Sequence, residues 1–183
     1  AVWNMYGPTE TAVESVGYDV AALPADAATT PIGRPIGHST VRVLDPWLRP
    51  TAPGVPGELY LGGVQLADGY VGRAALTAER FVADPYGIAG ERLYRTGDVV
   101  RWNDDGQLEY LCRVDEQVKL RGYRIEPDEI RRALEQHQDV TGAVVLAVDL
   151  PAGGKQLAAY VTGTGADEGA LRAHLAARLP EYM

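Results

Sequence analysis

A single cysteine, Cys112, stands in this 183-residue sequence, so no disulfide can form within the chain. That fits a reducing compartment and a fold held by its apolar core. The three histidines, His38, His137 and His174, are widely spaced, and nothing around them has the spacing of a zinc site or of a Ser-His or Cys-His nucleophile. Long apolar runs are also missing. Gly142–Val148 is far below the roughly 20 residues a helix needs to cross a bilayer, and no signal-peptide pattern opens the sequence. Positive charge is scarce, with 17 Lys and Arg against 25 Asp and Glu and a net charge of −8. This argues against a broad footprint on DNA or RNA, so any bound anion needs a local site. What remains is 46% apolar and 23% charged, the balance of a globular protein long enough for one ordinary domain or two small ones.

Residues 20–57 are rich in Pro, Gly and Ala around one alternating run, Ser39–Asp45, which predicts a strand. Glu58–Leu61 predicts a second. Leu76–Val82 has apolar residues at 76, 78, 81 and 82, a short helical pattern stopping before Asp84-Pro85. Val99–Trp102 and Gln107–Leu111 flank Asn103-Asp-Asp-Gly106 and predict a hairpin. After Arg113 comes an extended basic segment, Gln117–Ile125, then a helix opened by Pro127, with Asp128 and Glu129 in its first turn and Ile130, Leu134 and His137 at i, i+4 and i+7. Strands are expected over 141–149 and 156–162, joined by a turn at Pro151–Lys155, and a last helix over 167–179 with Leu171, Leu175 and Leu179 on one face. The expected class is therefore α+β, β-rich to residue 113, with a small α+β unit after it.

Three stretches carry chemistry. In Asn4-Met-Tyr-Gly-Pro-Thr-Glu10 a tight turn at Gly7-Pro8 presents Tyr6, Thr9 and Glu10, either to stack a base and help hold a hard cation or as an ordinary surface turn. Tyr94-Arg-Thr-Gly-Asp98 offers a carboxylate just before a strand, suited to vicinal sugar hydroxyls, or a plain Thr-Gly-Asp turn. Arg113–Pro127 gathers Arg113, Lys119, Arg121 and Arg124 on an acidic protein. Read as one strand, it would put Lys119, Arg121 and Tyr123 on a single face, as a binding surface or as a solvated face with ion pairs to Glu116 or Glu126.

Together these stretches resemble the adenylation domains of nonribosomal peptide synthetases, within the adenylate-forming superfamily, and the match is ordered along the whole chain. Asn4–Glu10 is similar to the family's Asn-x-Tyr-Gly-Pro-Thr-Glu motif. Gly57-Glu-Leu-Tyr-Leu-Gly-Gly63 through Gly69-Tyr-Val and Leu76-Thr-Ala-Glu-Arg-Phe81 is similar to the next motif, Tyr94–Asp98 to the third, Asp115–Glu126 to the fourth and Leu179–Met183 to the fifth, all in register. Cys112 departs from the pattern, standing where the family usually has Gly, and is expected to be a small buried strand residue.

The resemblance implies an enzyme that joins an amino acid to ATP with Mg²⁺, then passes the acyl group to the phosphopantetheine thiol of a peptidyl carrier domain. It implies that Tyr6 packs on adenine, Thr9 contacts the α-phosphate, Glu10 coordinates Mg²⁺, Asp98 binds the ribose, Arg113 supports the ribose side and Tyr110 faces adenine from the other side. Lys119 would lie near the ribose and bridging oxygen. Met5, Val13 and Glu14 would line the amino-acid pocket, Asp115 would be a hinge, and Gly122 would lie along the pantetheine tunnel. Residues 1–113 correspond to the barrel-like end of the large adenylation core and 114–183 to a C-terminal lid, both ends reading as cut. The family's phosphate loop, its amino-group Asp and its C-terminal Lys fall outside this sequence, so the expectation is that the chain works only with the rest of the domain. A small MbtH-like protein is a further implied partner, no nucleic acid or membrane is expected, and a cytoplasmic location follows. Two other readings are an acyl-CoA synthetase of the same superfamily and a non-catalytic docking module.

Overall fold

A computed structural model describes all residues except 28, 116, 121, 151–153 and 166, and describes residue 119 by its backbone alone. It separates into two compact units, Ala1–Val114 and Asp115–Met183. The first holds β1 (Trp3–Tyr6), β2 (Val16–Asp19), β3 (Arg34–Pro35), β4 (Ser39–Leu44), β5 (Gly57–Gly63), α1 (Ala74–Arg80), β6 (Phe81–Ala83), β7 (Arg92–Trp102) and β8 (Leu108–Arg113). The second holds β9 (Val118–Leu120), β10 (Tyr123–Ile125), α2 (Pro127–Glu135), β11 (Val140–Asp149), β12 (Lys155–Gly163) and α3 (Glu168–Ala176).

In the first unit, β1, β2 and β3 form an antiparallel sheet, and β4, β5, β7 and β6 form another to which β8 adds by pairing with β7. The eleven-residue β7 is the spine. Its first residues pair with β6 and its last with β8, while β5 runs along its other edge. Alternation along these strands buries Val43, Leu59, Leu61, Val100 and Leu108 with Val16 and Ile32, and burial of such side chains contributes roughly 1.5–3 kcal/mol each. Leu44, Tyr60 and Leu93 make a smaller cluster.

The predicted strands over 39–45 and 58–61 are present. Two other expectations are corrected. The helical pattern of 76–82 stops at Arg80, because Phe81 and Val82 pair with Tyr94 and Leu93 as β6, and strand pairing overrides a short helical period. Asp98 is not a residue before a strand but lies within β7. The segment was disguised by Gly97, whose φ of +77° marks an irregular ladder: between the pairs Glu58–Val99 and Tyr60–Arg95, β7 carries extra residues.

In the second unit the basic segment is a hairpin, not one extended strand. The chain reverses near Gly122 (φ +84°), so Lys119 stands opposite Arg124 and Tyr123 opposite Leu120. Arg121 and Glu116, also named for this segment, lie outside the described residues, as do positions 151–153 of the expected turn. Helix α2 begins as its sequence predicts: Pro127 needs no N–H donor in the first turn, Asp128 and Glu129 face the positive helix end, and Ile130 and Leu134 are buried with Ile125, Val140, Val145 and Leu171. Asp167 caps α3 by accepting from the Ala170 N–H at 3.0 Å. Among the described residues no helix is long and apolar enough to cross a membrane.

Candidate nucleotide site

β1 delivers Tyr6 to a loop that closes tightly. The N–H groups of Thr11 and Val13 both reach the Pro8 carbonyl, at 3.0 and 3.1 Å, and Ser15 N–H reaches the Tyr6 carbonyl at 2.9 Å. Gly7 is required here, since a Cβ would sit 2.5 Å from the Val13 carbonyl oxygen. The short 3-10 turn Thr9–Thr11 leaves Thr9 exposed and turns Glu10 inward, 8% accessible. The Thr11 hydroxyl is fixed by the buried Ser15 hydroxyl at 2.7 Å.

Tyr6, Asp98 and Arg113 form one bonded group. The Tyr6 hydroxyl donates to Asp98 Oδ2, and Arg113 donates from Nη1 to Asp98 Oδ1 at 2.7 Å and from Nη2 to the Thr96 carbonyl at 3.1 Å. The Thr96 hydroxyl accepts the Asp98 N–H at 3.0 Å and donates to the Leu59 carbonyl at 2.7 Å. Burial, and next the Asp98 charge, push the Tyr6 phenol well above the usual tyrosine range. A carboxylate has about four acceptor sites, so these bonds orient Asp98 without saturating it.

Register explains why Tyr110 belongs on the same side. Arg113 stands opposite Asp98 and Tyr110 opposite Val100, with one extra β8 residue between the pairs Val99–Cys112 and Val100–Tyr110. Without that bulge, residues three apart would point to opposite faces. With it, Asp98, Arg113 and Tyr110 share one. Cys112 is displaced to the other face and is exposed, which corrects the expectation that it is buried.

Glu10 is not joined to this group by a described bond. Its Oε1 accepts hydrogen bonds from the Tyr70 hydroxyl at 2.6 Å and the Tyr94 hydroxyl at 2.9 Å. Both tyrosines lie in motifs quoted above, but their hydroxyl directions depend on sheet register, which residue spacing does not reveal. Burial and the hydrogen bond to Glu10 push the Tyr70 phenol upward.

Met5, Val13 and Glu14 are all exposed. Met5 lies opposite Gly17 in the β1–β2 ladder. Val13 and Ala12 have φ values of +73° and +56°. In the second unit, Asp115 Oδ1 accepts the Gln117 N–H at 3.2 Å, the Lys119 side chain lies outside the described residues, and a Cβ on Gly122 would meet nothing within 4 Å. Among the described residues no cluster of three or more His, Cys, Asp or Glu could hold a metal. A Mg²⁺ site here fits only as one carboxylate, Glu10, completing a shell otherwise made of phosphate oxygens and water, a common arrangement for this ion.

Residues 1–71 match the family model described as AMP-binding enzyme. The chain is 52% identical over 185 residues to the phosphinothricin tripeptide synthetase PhsB of Streptomyces viridochromogenes, covering 98% of this chain and 15% of that protein. It is 48% identical over 186 residues to the dimodular nonribosomal peptide synthase of Bacillus subtilis, covering all of this chain and 8% of that one. A solved NRPS protein containing adenylation and PCP domains matches with a TM-score of 0.81 and 32% identity, over 98% of this chain and 36% of the solved one. The chain thus spans a small fraction of the length of these curated relatives. With five sequence motifs in order, a match to the AMP-binding enzyme model over residues 1–71, near 50% identity to nonribosomal peptide synthetases along nearly the whole chain and a fold match to a solved adenylation-domain protein over 98% of it, the chain is related throughout to the adenylation domains of nonribosomal peptide synthetases.

Proposed function

We propose that this chain is part of an enzyme that forms an aminoacyl adenylate and pyrophosphate from an amino acid and ATP, then transfers the acyl group to the phosphopantetheine thiol of a peptidyl carrier domain. The observation that carries the proposal is the bonded group Tyr6–Asp98–Arg113: an aromatic ring fixed through its hydroxyl to a carboxylate that an arginine orients in turn. Such a group suits a nucleoside. The Tyr6 ring packs on adenine, Asp98 accepts the ribose hydroxyls, Arg113 holds the ribose side, and Tyr110 approaches adenine from the opposite direction.

Thr9 contacts the α-phosphate, and Glu10 supplies the protein's carboxylate to Mg²⁺. When bound, that ion neutralises charge on the phosphate oxygens and leaves the protein a task of positioning and charge stabilisation. Lys119 acts near the ribose and bridging oxygen during adenylation. Met5, Val13 and Glu14 line the amino-acid pocket, where Glu14 suits a cationic side chain. Asp115 is the hinge between the adenylating and thioester-forming arrangements, and Gly122 borders the path of the pantetheine arm. Partners beyond the carrier domain are the remainder of the adenylation domain and a small MbtH-like accessory protein. A cytoplasmic location belongs to the same reading, since ATP and Mg²⁺ are supplied there.

The test is amino-acid-dependent ATP–pyrophosphate exchange by the full-length protein carrying this sequence, run beside fatty and aryl acids with coenzyme A. Exchange confined to amino acids supports the proposal. Activity only with the other acids would make the protein an acyl-CoA synthetase. No exchange together with no ATP protection against heat would leave a docking module, since a true nucleotide site stabilises by mass action. Residues 1–183 alone are expected to give no exchange.

A further inference from the structure

Glu10 is a buried acid whose orientation comes from elsewhere in the first unit, and the two side chains that hold it have no other task in the proposed reaction. Two phenols, from residues 60 and 84 positions away, converge on the same oxygen, Oε1, at 2.6 and 2.9 Å. Their own oxygens are 3.4 Å apart. Tyr94 is 0% accessible, and the Phe81 ring packs against both phenol rings, 5.5 Å from that of Tyr70 and 5.2 Å from that of Tyr94.

Tyr70 is itself anchored. Its N–H donates to the Thr77 hydroxyl at 2.9 Å, and the preceding Gly69, at φ +146°, presses so closely on Thr77 that a Cβ would come within 2.3 Å of its methyl carbon. The backbone is tied as well: Ala67 N–H donates to the Glu10 carbonyl at 2.9 Å. A continuous support therefore runs from α1 through Thr77, Gly69 and Tyr70 to one carboxylate oxygen, with β7 supplying Tyr94 from the other side.

We infer that Tyr70 and Tyr94 are positioning residues for the metal-binding carboxylate, and that the α1 segment exists in this fold to aim Glu10. The inference rests on the assignment of Glu10 to Mg²⁺ proposed above. Groups that orient a metal ligand typically change metal affinity or activity by roughly 10–100-fold when removed. Each Tyr→Phe change removes one of the two hydrogen bonds that fix Oε1 while keeping the ring, and so loosens the ligand.

The experiment measures Mn²⁺ affinity in the presence of ATP by electron paramagnetic resonance on the full-length protein, alongside the Mg²⁺ concentration giving half-maximal pyrophosphate exchange. Tyr70→Phe and Tyr94→Phe are expected to weaken Mn²⁺ binding about tenfold and raise the Mg²⁺ requirement in parallel, with exchange recovering at high Mg²⁺. Tyr60→Phe, a buried phenol elsewhere on the same sheet whose hydroxyl lies 3.4 Å from Glu58, should change neither. In a Glu10→Gln background, adding Tyr70→Phe should have no further effect on the metal.

If Glu10→Gln weakens Mn²⁺ but neither phenylalanine variant does, the positioning inference is wrong while the metal assignment stands. If Glu10→Gln itself leaves Mn²⁺ unchanged, or the wild type binds none, the assignment fails and takes the inference with it. Should Tyr94→Phe not fold, Tyr70→Phe alone decides, because its ring is only partly buried.

Discussion

Arg113 stands directly opposite Asp98 in the β7–β8 ladder and donates to its Oδ1 at 2.7 Å, with both side chains largely shielded from solvent. Removing one partner of such a pair strands the other charge, at a cost of about 3 kcal/mol. Asp98→Ala should therefore lower the urea-unfolding free energy by about that much. Arg113→Met combined with Asp98→Asn should cost less than the two single changes added together. Additivity of the two would show that the pair is not coupled. Under the proposed function, Asp98→Asn should also weaken ATP binding at least about tenfold, since a buried bond to a charged acceptor is worth roughly 1.5–3 kcal/mol.

The phenols of Tyr6 and Tyr70 give the first unit an alkaline limit. Both are pushed above the normal tyrosine range, chiefly by burial and then by bonds to, or the charge of, Asp98 and Glu10 respectively. Unfolded tyrosine ionises near pH 10, while these native phenols stay protonated above that. The stability they contribute is therefore intact below about pH 10 and is lost progressively as pH rises from there toward the native values. Urea midpoints between about pH 8.5 and 11 should fall in the wild type, and fall less steeply in Tyr6→Phe and Tyr70→Phe. Identical slopes would rule out these two groups as the cause.

How much of this was legible beforehand follows from the kind of information each part needs. Helix α2 announces itself through Pro127, two early acids and apolar residues at helical spacing, all local signals. Tyr6, Asp98 and Arg113 were each named from motifs, yet the Asp98–Arg113 bond comes from the ladder joining β7 to β8 and the Tyr6–Asp98 bond from the fold bringing the end of β1 to β7. The length of β7 was hidden because Thr96-Gly97-Asp98 has the composition of a turn, while it serves as a bulge inside a strand. The support of Glu10 was out of reach for the same reason: a hydroxyl's direction is set by register between segments 60 and more residues apart. A basic run of alternating residues says nothing of whether it continues or folds back, and Gly122 decided that.

Gly122 offers a separate test of the carrier-loading proposal. At φ +84° with open space where a Cβ would stand, its requirement within this unit is conformational. Gly122→Leu should destabilise the protein by about 1–2 kcal/mol, and Gly122→Asn by less, because Asn tolerates the left-handed region. If the pantetheine arm passes this residue, Leu should slow carrier loading at least about tenfold more than Asn does, a gap of some 1.4 kcal/mol in barrier, measured at a temperature where both variants are folded. Equal loading rates would remove Gly122 from that path.

The boundary between the units falls between Val114 and Asp115. If Asp115 is a hinge, Asp115→Pro, which fixes φ near −65°, should penalise one of two backbone states. Carrier loading is expected to drop about tenfold or more, with pyrophosphate exchange changing less than about threefold. An equal fall in both half-reactions would refute the hinge assignment.

Val13 carries a consequence for how this sequence would respond to selection. A β-branched residue at φ +73° holds roughly 1–3 kcal/mol of backbone strain, and at 62% accessibility its side chain recovers little through packing. Breeding the full-length protein for heat tolerance alone should soon enrich glycine or asparagine at position 13. Breeding that also demands turnover should keep valine, and comparing the two lineages would reveal whether catalysis or stability has been the stronger force on this loop.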